Sequence, residues 1–236
     1  RLDLHNTDVL YVQEKYKPSD SLAINPERTA EKMDKSVEKA AAQPMDWVLA
    51  LGDLDVTDLD IKFDNFNMPR QPRGMDYNHL YFKNILIQAQ DIVYSLNRTI
   101  ADINQLQLQE KSGFTLQNLQ ANLVFHSTQA SLTNLDIKTP NSHLQNHLAM
   151  QYPSLDAMAE RPESINLDVN LRNSYIGMKD VLYFAPDLAK DPSFKSIANS
   201  TIKVEAEASG PVDNLLVNNL QLVGLKGTNI NVSGRI

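Results

Sequence analysis

One short pattern recurs five times along the chain: a carboxylate or amide residue, then Leu or Ile, then any residue, then a second apolar residue. The copies are Asp58-Leu59-Asp60-Ile61, Asn84-Ile85-Leu86-Ile87, Asn118-Leu119-Gln120-Ala121, Asn134-Leu135-Asp136-Ile137 and Asn219-Leu220-Gln221-Leu222. Side chains on a strand alternate between faces, so each copy predicts the start of a strand with one apolar face, entered through an Asn or Asp turn position. The same period of two runs from Trp47 to about Leu171. Leu49/Leu51, Leu59/Ile61/Phe63, Ile85/Ile87/Ala89, Leu106/Leu108, Ala121/Leu123/Phe125, Leu135/Ile137 and Leu167/Val169/Leu171 each place successive apolar side chains on one face. Asp58, Asp60, Gln88, Asn122, Asp136, Asp168 and Asn170 fall between them, which is the signature of antiparallel strands with one dry and one wet side.

Two stretches break this pattern. Residues 1–25 read as N-terminal hairpin strands, Leu2 to Leu4 and Val9 to Val12, turning through His5-Asn6-Thr7-Asp8. Residues 26–44 read as a helical insertion: Asn25 is placed to cap, Pro26 suits the first helical position and Pro44 stops the segment. From 45 to 236 the chain reads as one repetitive β segment, interrupted by a short helix near 177–189 that Ser174 is placed to cap and Pro186 ends or kinks. Pro69 to Gly74 and Tyr152 to Pro162 read as loops. Strands resume at Ile202/Val204/Ala206/Ala208, Leu215 to Val223 and Ile230/Val232, about 14 strands in all, or a rod of about 65 Å if they stack in one sheet.

Composition narrows the function. A hydrophobic content of 42% in 236 residues is enough for a sizeable core, so the chain is not disordered. A net charge of -7 with scattered basic residues lacks the electrostatic footprint of a nucleic-acid binder. Without cysteine there is no disulfide, thiol chemistry or Cys-based zinc site, and the compartment stays open. The longest apolar run, Trp47 to Leu51, is far shorter than the roughly 20 residues of a membrane-spanning helix. The chain begins at Arg1 without a signal-like segment and stops inside strand-like sequence, and it reads as a piece of a longer protein.

No catalytic constellation is legible. His143 and His147 are four apart but lie in strand-like alternation with no intervening glutamate, so they read as solvated strand residues, not metal ligands. Asp53, Asp55, Asp58, Asp60 and Asp64 lack the spacing and central glycine of a calcium loop and read as a wet strand face. Ser112, Ser142 and Ser209 lie outside any nucleophile elbow, and the 8 glycines assemble no phosphate-binding loop. The expectation is a protein that is not an enzyme, with no cofactor, metal or catalytic residue. Asn97, Asn199 and Asn231 fit the short N-glycosylation pattern, and Asp20-Ser21-Leu22 resembles an O-glycosylation signal.

Glu110-Lys111-Ser112-Gly113-Phe114 followed by Leu116 and Leu119, the strand exit Leu135-Asp136-Ile137-Lys138-Thr139-Pro140-Asn141-Ser142, the segment from Asp180 to Leu188, and Ser209-Gly210-Pro211-Val212-Asp213-Asn214-Leu215 with Asn218-Asn219-Leu220 resemble the AsmA/TamB-like superfamily. The resemblance is to its large Bacteroidetes translocation and assembly module form, and it covers about Trp47 to Ile236. It implies a mainly β protein in which an elongated antiparallel sheet folds into a U-shaped, β-taco-like trough; the two short helical insertions read from the residues depart from that uninterrupted sheet. It also implies a periplasmic body anchored in the inner membrane outside this segment, phospholipid as the partner, an Omp85-type outer-membrane barrel as a further partner, and a part in envelope biogenesis.

Pattern and resemblance together predict a groove that shields acyl chains during transfer between membranes. Exposing about 30 methylenes to water costs roughly 24 kcal/mol, which an apolar lining removes. The lining residues expected are Leu49, Leu51, Leu59, Ile61, Phe63, Ile85, Ile87, Leu106, Leu108, Leu123, Phe125, Leu135, Ile137, Leu167, Val169, Ile202, Val204, Leu220, Leu222, Ile230 and Val232. Two alternatives remain open: a scaffold or chaperone for outer-membrane proteins that offers its edge strands, and an extracellular β-sandwich adhesion module. Replacing Leu135 or Ile137 with Asp is expected to block lipid movement and leave the rod folded if these residues line an open trough. Collapse of the thermal transition would place them in a closed core.

Overall fold

The computed structural model describes residues 2–13, 48–95, 97–154, 157, 161–224 and 227–236. The helical insertion expected at 26–44 and the motif at Asp20 lie outside the described residues. Among those described, the chain forms one open sheet of 11 strands whose spatial order is the sequence order. The strands are β1 (Leu2–Gln13), β2 (Leu49–Asn65), β3 (His79–Ser95), β4 (Arg98–Glu110), β5 (Thr115–His126), β6 (Gln129–Lys138), β7 (His143–Gln151), β8 (Asn166–Gly177), β9 (Thr201–Pro211), β10 (Leu216–Gly224) and β11 (Thr228–Arg235). Neighbours from β2 to β11 run antiparallel, as the alternating pattern requires.

The N-terminal hairpin is corrected. Leu2 to Gln13 is a single strand, and it pairs parallel to β2 from Leu2↔Leu54 to Gln13↔Asn65. His5 to Asp8 hold no glycine or proline, and pairing along the length of β2 keeps them extended. The stretch between Gln13 and Leu49 exceeds the dozen or so residues that a parallel crossover needs. With one strand in place of two, and with β2 and β3 each 17 residues long, the expected 14 strands become 11, which at about 4.8 Å per step span roughly 48 Å.

The repeated Asn/Asp pattern has a different meaning from the one predicted. Asp58, Asn84 and Asn134 lie inside strands, not at their starts, with φ of 54°, 50° and 51°. Asp91, Asn146 and Asn173 share this left-handed conformation at 51°, 101° and 50°. Each coincides with a slip in register, at Val56/Leu59, Lys83/Leu86, Gln90/Val93, Thr133/Leu135, His143/Asn146 and Leu171/Ser174. These are β-bulges, which bend a strand and increase its twist. Asn and Asp are the residues other than glycine that enter this region at least cost. Slips at Ile103/Leu106 in β4, Gln120/Asn122 in β5 and Val217/Asn219 in β10 carry the same disturbance across the strands between. The other two copies are also at slips, Asn118 between Leu116 and Leu119 of the β4–β5 pairing and Asn219 at Val217/Asn219, without the left-handed backbone.

The bulges form a crease across the sheet, which curves into a trough around its apolar face. Beside the crease Val56 is 2%, Leu135 3% and Ile85 4% exposed, although among the described residues no second layer faces them. A flat uncovered sheet would leave such side chains open to water; here their neighbours on the same curved face close over them. Val56, Leu59 and Ile85 form one buried cluster, and Ala89, Ile92 and Ala101 another. On the outer face polar side chains cross-link the strands. Asn122 Nδ2 donates to Asp102 Oδ1 (2.5 Å), Asn134 Nδ2 to Asn122 Oδ1 (2.6 Å) and Asn146 Nδ2 to Asn170 Oδ1 (2.8 Å).

The helix after β8 is α1 (Met178–Phe184), followed by a 3-10 turn at Pro186–Lys190 and by α2 (Pro192–Lys195). Pro186 stops α1 as expected, but Ser174 does not cap it. Ser174 is in β8, where its hydroxyl accepts from the Gln145 N–H, and the cap position is Gly177. Gly177 is required there because a Cβ would collide with the backbone and Cβ of Asn141.

Asn173 tests the crease, since it is exposed with a left-handed backbone and its side chain makes no hydrogen bond to the described residues. Asn173→Val is expected to destabilise the fold by about 1–2 kcal/mol, while Asn173→Gly costs less. Urea denaturation of the two variants checks this.

Candidate functional site

The sheet register fixes which side chains share a face, because residues paired across strands point the same way. Leu51 pairs with Ile92, Leu59 with Ile85 and Phe63 with Leu80; Ile87 then pairs with Leu106. Leu106 pairs with Leu119, Leu108 with Leu116, and Leu123 with both Ala101 and Leu132. The row continues through Leu132↔Leu148↔Val169↔Ala208, Ile137↔Leu144, Met150↔Leu167 and Ile176↔Ile202. Val204 pairs with Leu222, and Leu220 and Leu222 pair with Val232 and Ile230. Leu49 pairs with Tyr94, Ile61 with Phe82, and Phe125 with Thr99 and Ala130. Most of the lining residues expected from sequence thus pair with apolar partners across the sheet, whereas Leu135 pairs with Asn146 at a bulge.

Their exposure differs along the face. Leu59, Ile85, Leu135 and Val204 are buried at the crease, whereas Leu49, Phe125 and Ile230 are exposed toward the strand ends. Leu135, at 3%, belongs to the closed floor, so Leu135→Asp is now expected to unfold the sheet locally; the half-buried Ile137 keeps the original expectation. Leu54, Val56, Phe82, Ile92, Leu132 and Leu148 lie on the same face but were missed. A bulge stands between each of them and other lining residues of its strand, so a strict period of two carried across the bulge assigns it to the wrong side. The signal was in the sequence: the Asn/Asp repeat marks where the phase resets. β1 extends the face further, with Tyr11 stacked on Phe63 at 5.6 Å.

Two apolar cavities open on this face. One of about 290 Å³ is lined by Leu123, Leu132, Leu148, Met150, Leu167 and Val169 with their neighbours. The other, about 310 Å³, lies beneath α1 and is lined by Leu116, Ile137, Leu144 and Ile176 of the sheet together with Phe114, Val181 and Phe184. α1 therefore rests on the apolar face at one rim. Buried Asp180 fixes it there, accepting from Thr139 Oγ1, from Ser142 Oγ at 2.6 Å and from Asn141 Nδ2 at 2.8 Å. With those donors supplied, the charge can stay buried. Phe114 packs edge-on against Tyr183 and Phe184, and Met75 N–H donates to Tyr183 O (2.7 Å), so the β2–β3 loop meets α1 across the same rim.

The root of that loop is ionic. Asp64, expected on a wet face, is 2% exposed and accepts from Lys62 (2.9 Å), Arg70 (3.2 Å) and His79 (3.2 Å), while His79 Nε2 donates to Met68 O (2.9 Å). The Lys62 hydrogen bond, aided by His79 and Arg70, holds the Asp64 carboxyl below its usual range against the opposing effect of burial. On the outer face His143 pairs with Asp136 (2.9 Å) and His147 with Asp168 (3.4 Å), so the two histidines tie adjacent strands together. Burial pushes the Asp136 carboxyl up, but the hydrogen bonds from His143 and Gln145 outweigh it and its pKa is lowered.

No helix among the described residues is long and apolar enough to cross a membrane. Comparison with family models, with curated proteins and with solved structures finds no match to this chain.

Because the Asp64 pKa is lower in the folded state, it contributes stability at pH values above its unfolded value of about 3.9, and that contribution is lost as pH falls through the folded pKa. The thermal midpoint is expected to drop from about pH 4 downward, and Asp64→Asn to flatten that slope. Calorimetry across the acidic range checks this.

Proposed function

We propose that the apolar face of the trough holds the acyl chains of phospholipid during transfer between two membranes, in a protein of the cell envelope. The observation that carries this reading is the unbroken apolar face from β1 to β11, which no second layer covers among the described residues and on which two cavities remain open. An uncovered surface of this extent is expected to have an occupant. An acyl chain suits it: the cavity between β5 and β8 has an almost wholly apolar lining, and the polar groups at the other, Thr139, Ser142 and Asp180, are bonded to one another, so the chain is sheltered at each step and held at none. The anchoring segment in the inner membrane and an outer-membrane barrel of the Omp85 type belong to the same proposal.

The single sheet disfavours the sandwich alternative, which needs a second sheet over the apolar face. The scaffold alternative draws on a different observation. The outer edges of β1 and β11 have no strand partner among the described residues, and an open edge is where an extended peptide adds.

Native mass spectrometry of the purified protein separates the two. Bound phospholipid supports the groove; absence of lipid together with binding of β-barrel peptides supports the scaffold. Leu123→Asp introduces a charge into the 290 Å³ cavity at a half-buried position and is expected to remove the bound lipid while the thermal transition persists.

A further inference from the structure

We propose that the rim away from α1 carries a separate binding site for a neutral oligosaccharide, on the outer face of the sheet. Gln129 opens β6, Gln151 closes β7 and Asn166 opens β8, and the three stand in register, Gln129↔Gln151↔Asn166. Their chain neighbours Ala130, Met150 and Leu167 point into the apolar groove, so the amides project from the opposite face. Together with Thr128, Tyr152, Pro153 and Ser164 they line a cleft of about 410 Å³.

The ligand class follows from the lining. Each amide presents both a donor NH2 and an acceptor oxygen, which is the complement of a hydroxyl that donates and accepts. Adjacent strands lie about 4.8 Å apart, so these groups recur at roughly the width of a sugar ring. Among the described residues no charged side chain lines the cleft, so a charged ligand finds no ion pair with them there. Burial pushes the Tyr152 hydroxyl pKa up, and the wall stays neutral with it.

Three further observations bear on how this row could receive a ligand. Asn122, Asn134, Asn146 and Asn170 along the crease are bonded to one another, whereas Gln129, Gln151 and Asn166 make no side-chain hydrogen bond to the described residues. The walls are rigid: Tyr152 N–H donates to Thr128 O (3.0 Å) and its hydroxyl to His126 O (2.9 Å). Ser164 Oγ is fixed on Arg161 O (2.7 Å), which holds the opposite side. A preorganised cleft with free amides loses little conformational freedom when hydroxyls dock.

Titration of the full chain with chitotetraose and maltotetraose, followed by calorimetry, tests the proposal, with a uronic-acid oligosaccharide as the charged comparison. Saturable binding of at least one neutral oligosaccharide is expected, weakened about tenfold by Gln151→Ala or Asn166→Ala, which remove up to two hydrogen bonds each. Thermal midpoint and bound phospholipid are expected to be unchanged in both variants, so the outcome is independent of the groove reading. Absence of saturable binding, equal affinity in wild type and both variants, or equal binding of the uronic-acid oligosaccharide overturns it.

Discussion

The left-handed backbone at six Asn and Asp positions is what turns a stack of strands into a trough. Each of these residues marks an irregularity in the pairing, and together with the slips in β4, β5 and β10 they bend the strands along a common line. The burial pattern depends on that bend. Val56, Ile85 and Leu135 are shielded because the sheet curves around them, with no facing layer among the described residues to do so. The polar ladder on the outer face follows from the same geometry, since it joins Asn134 and Asn146 to neighbours on adjacent strands.

A face closed at its crease and open toward its rims differs from a conventional core. In a sandwich the apolar side chains of two sheets interdigitate to native density; here much of the face is only half buried and no second layer lies above it among the described residues. The rims are treated differently from each other. At one, α1 is locked onto the sheet by the Asp180 network and braced by the β2–β3 loop, whose base is the Asp64–His79 hydrogen bond. At the other, strands β6 to β8 end in an uncharged row of amides.

Polar residues in this chain therefore have three distinct environments that look alike in one dimension. Asp58 and Asn84 set backbone geometry, Asp64 and Asp180 anchor connections, and Gln129 and Gln151 face solvent at a strand end. Reading all of them as a wet face was right for Asp53 and Asp55, which pair opposite Gln90 and Gln88, and wrong for Asp64. The difference arises from the β2–β3 loop, which returns Arg70 onto the Asp64 carboxylate and brings His79 beside it.

The sequence by itself determined the class of fold and the side of each regular strand, because alternation with period two has only one solution once one face must leave water. It also marked apolar positions that pair with one another across the sheet, such as Leu59 with Ile85 and Ile87 with Leu106, and a short helix near 177–189, of which Met178–Phe184 is α-helical. Only the tertiary structure decided that the recurring Asn/Asp positions are bulges, since a turn and a bulge make the same local demand for a residue that tolerates positive φ. Pairing partners alone distinguish the two. The parallel placement of β1 and the burial of Leu135 and Asp64 were likewise set by contacts between residues distant in sequence, which no local pattern encodes.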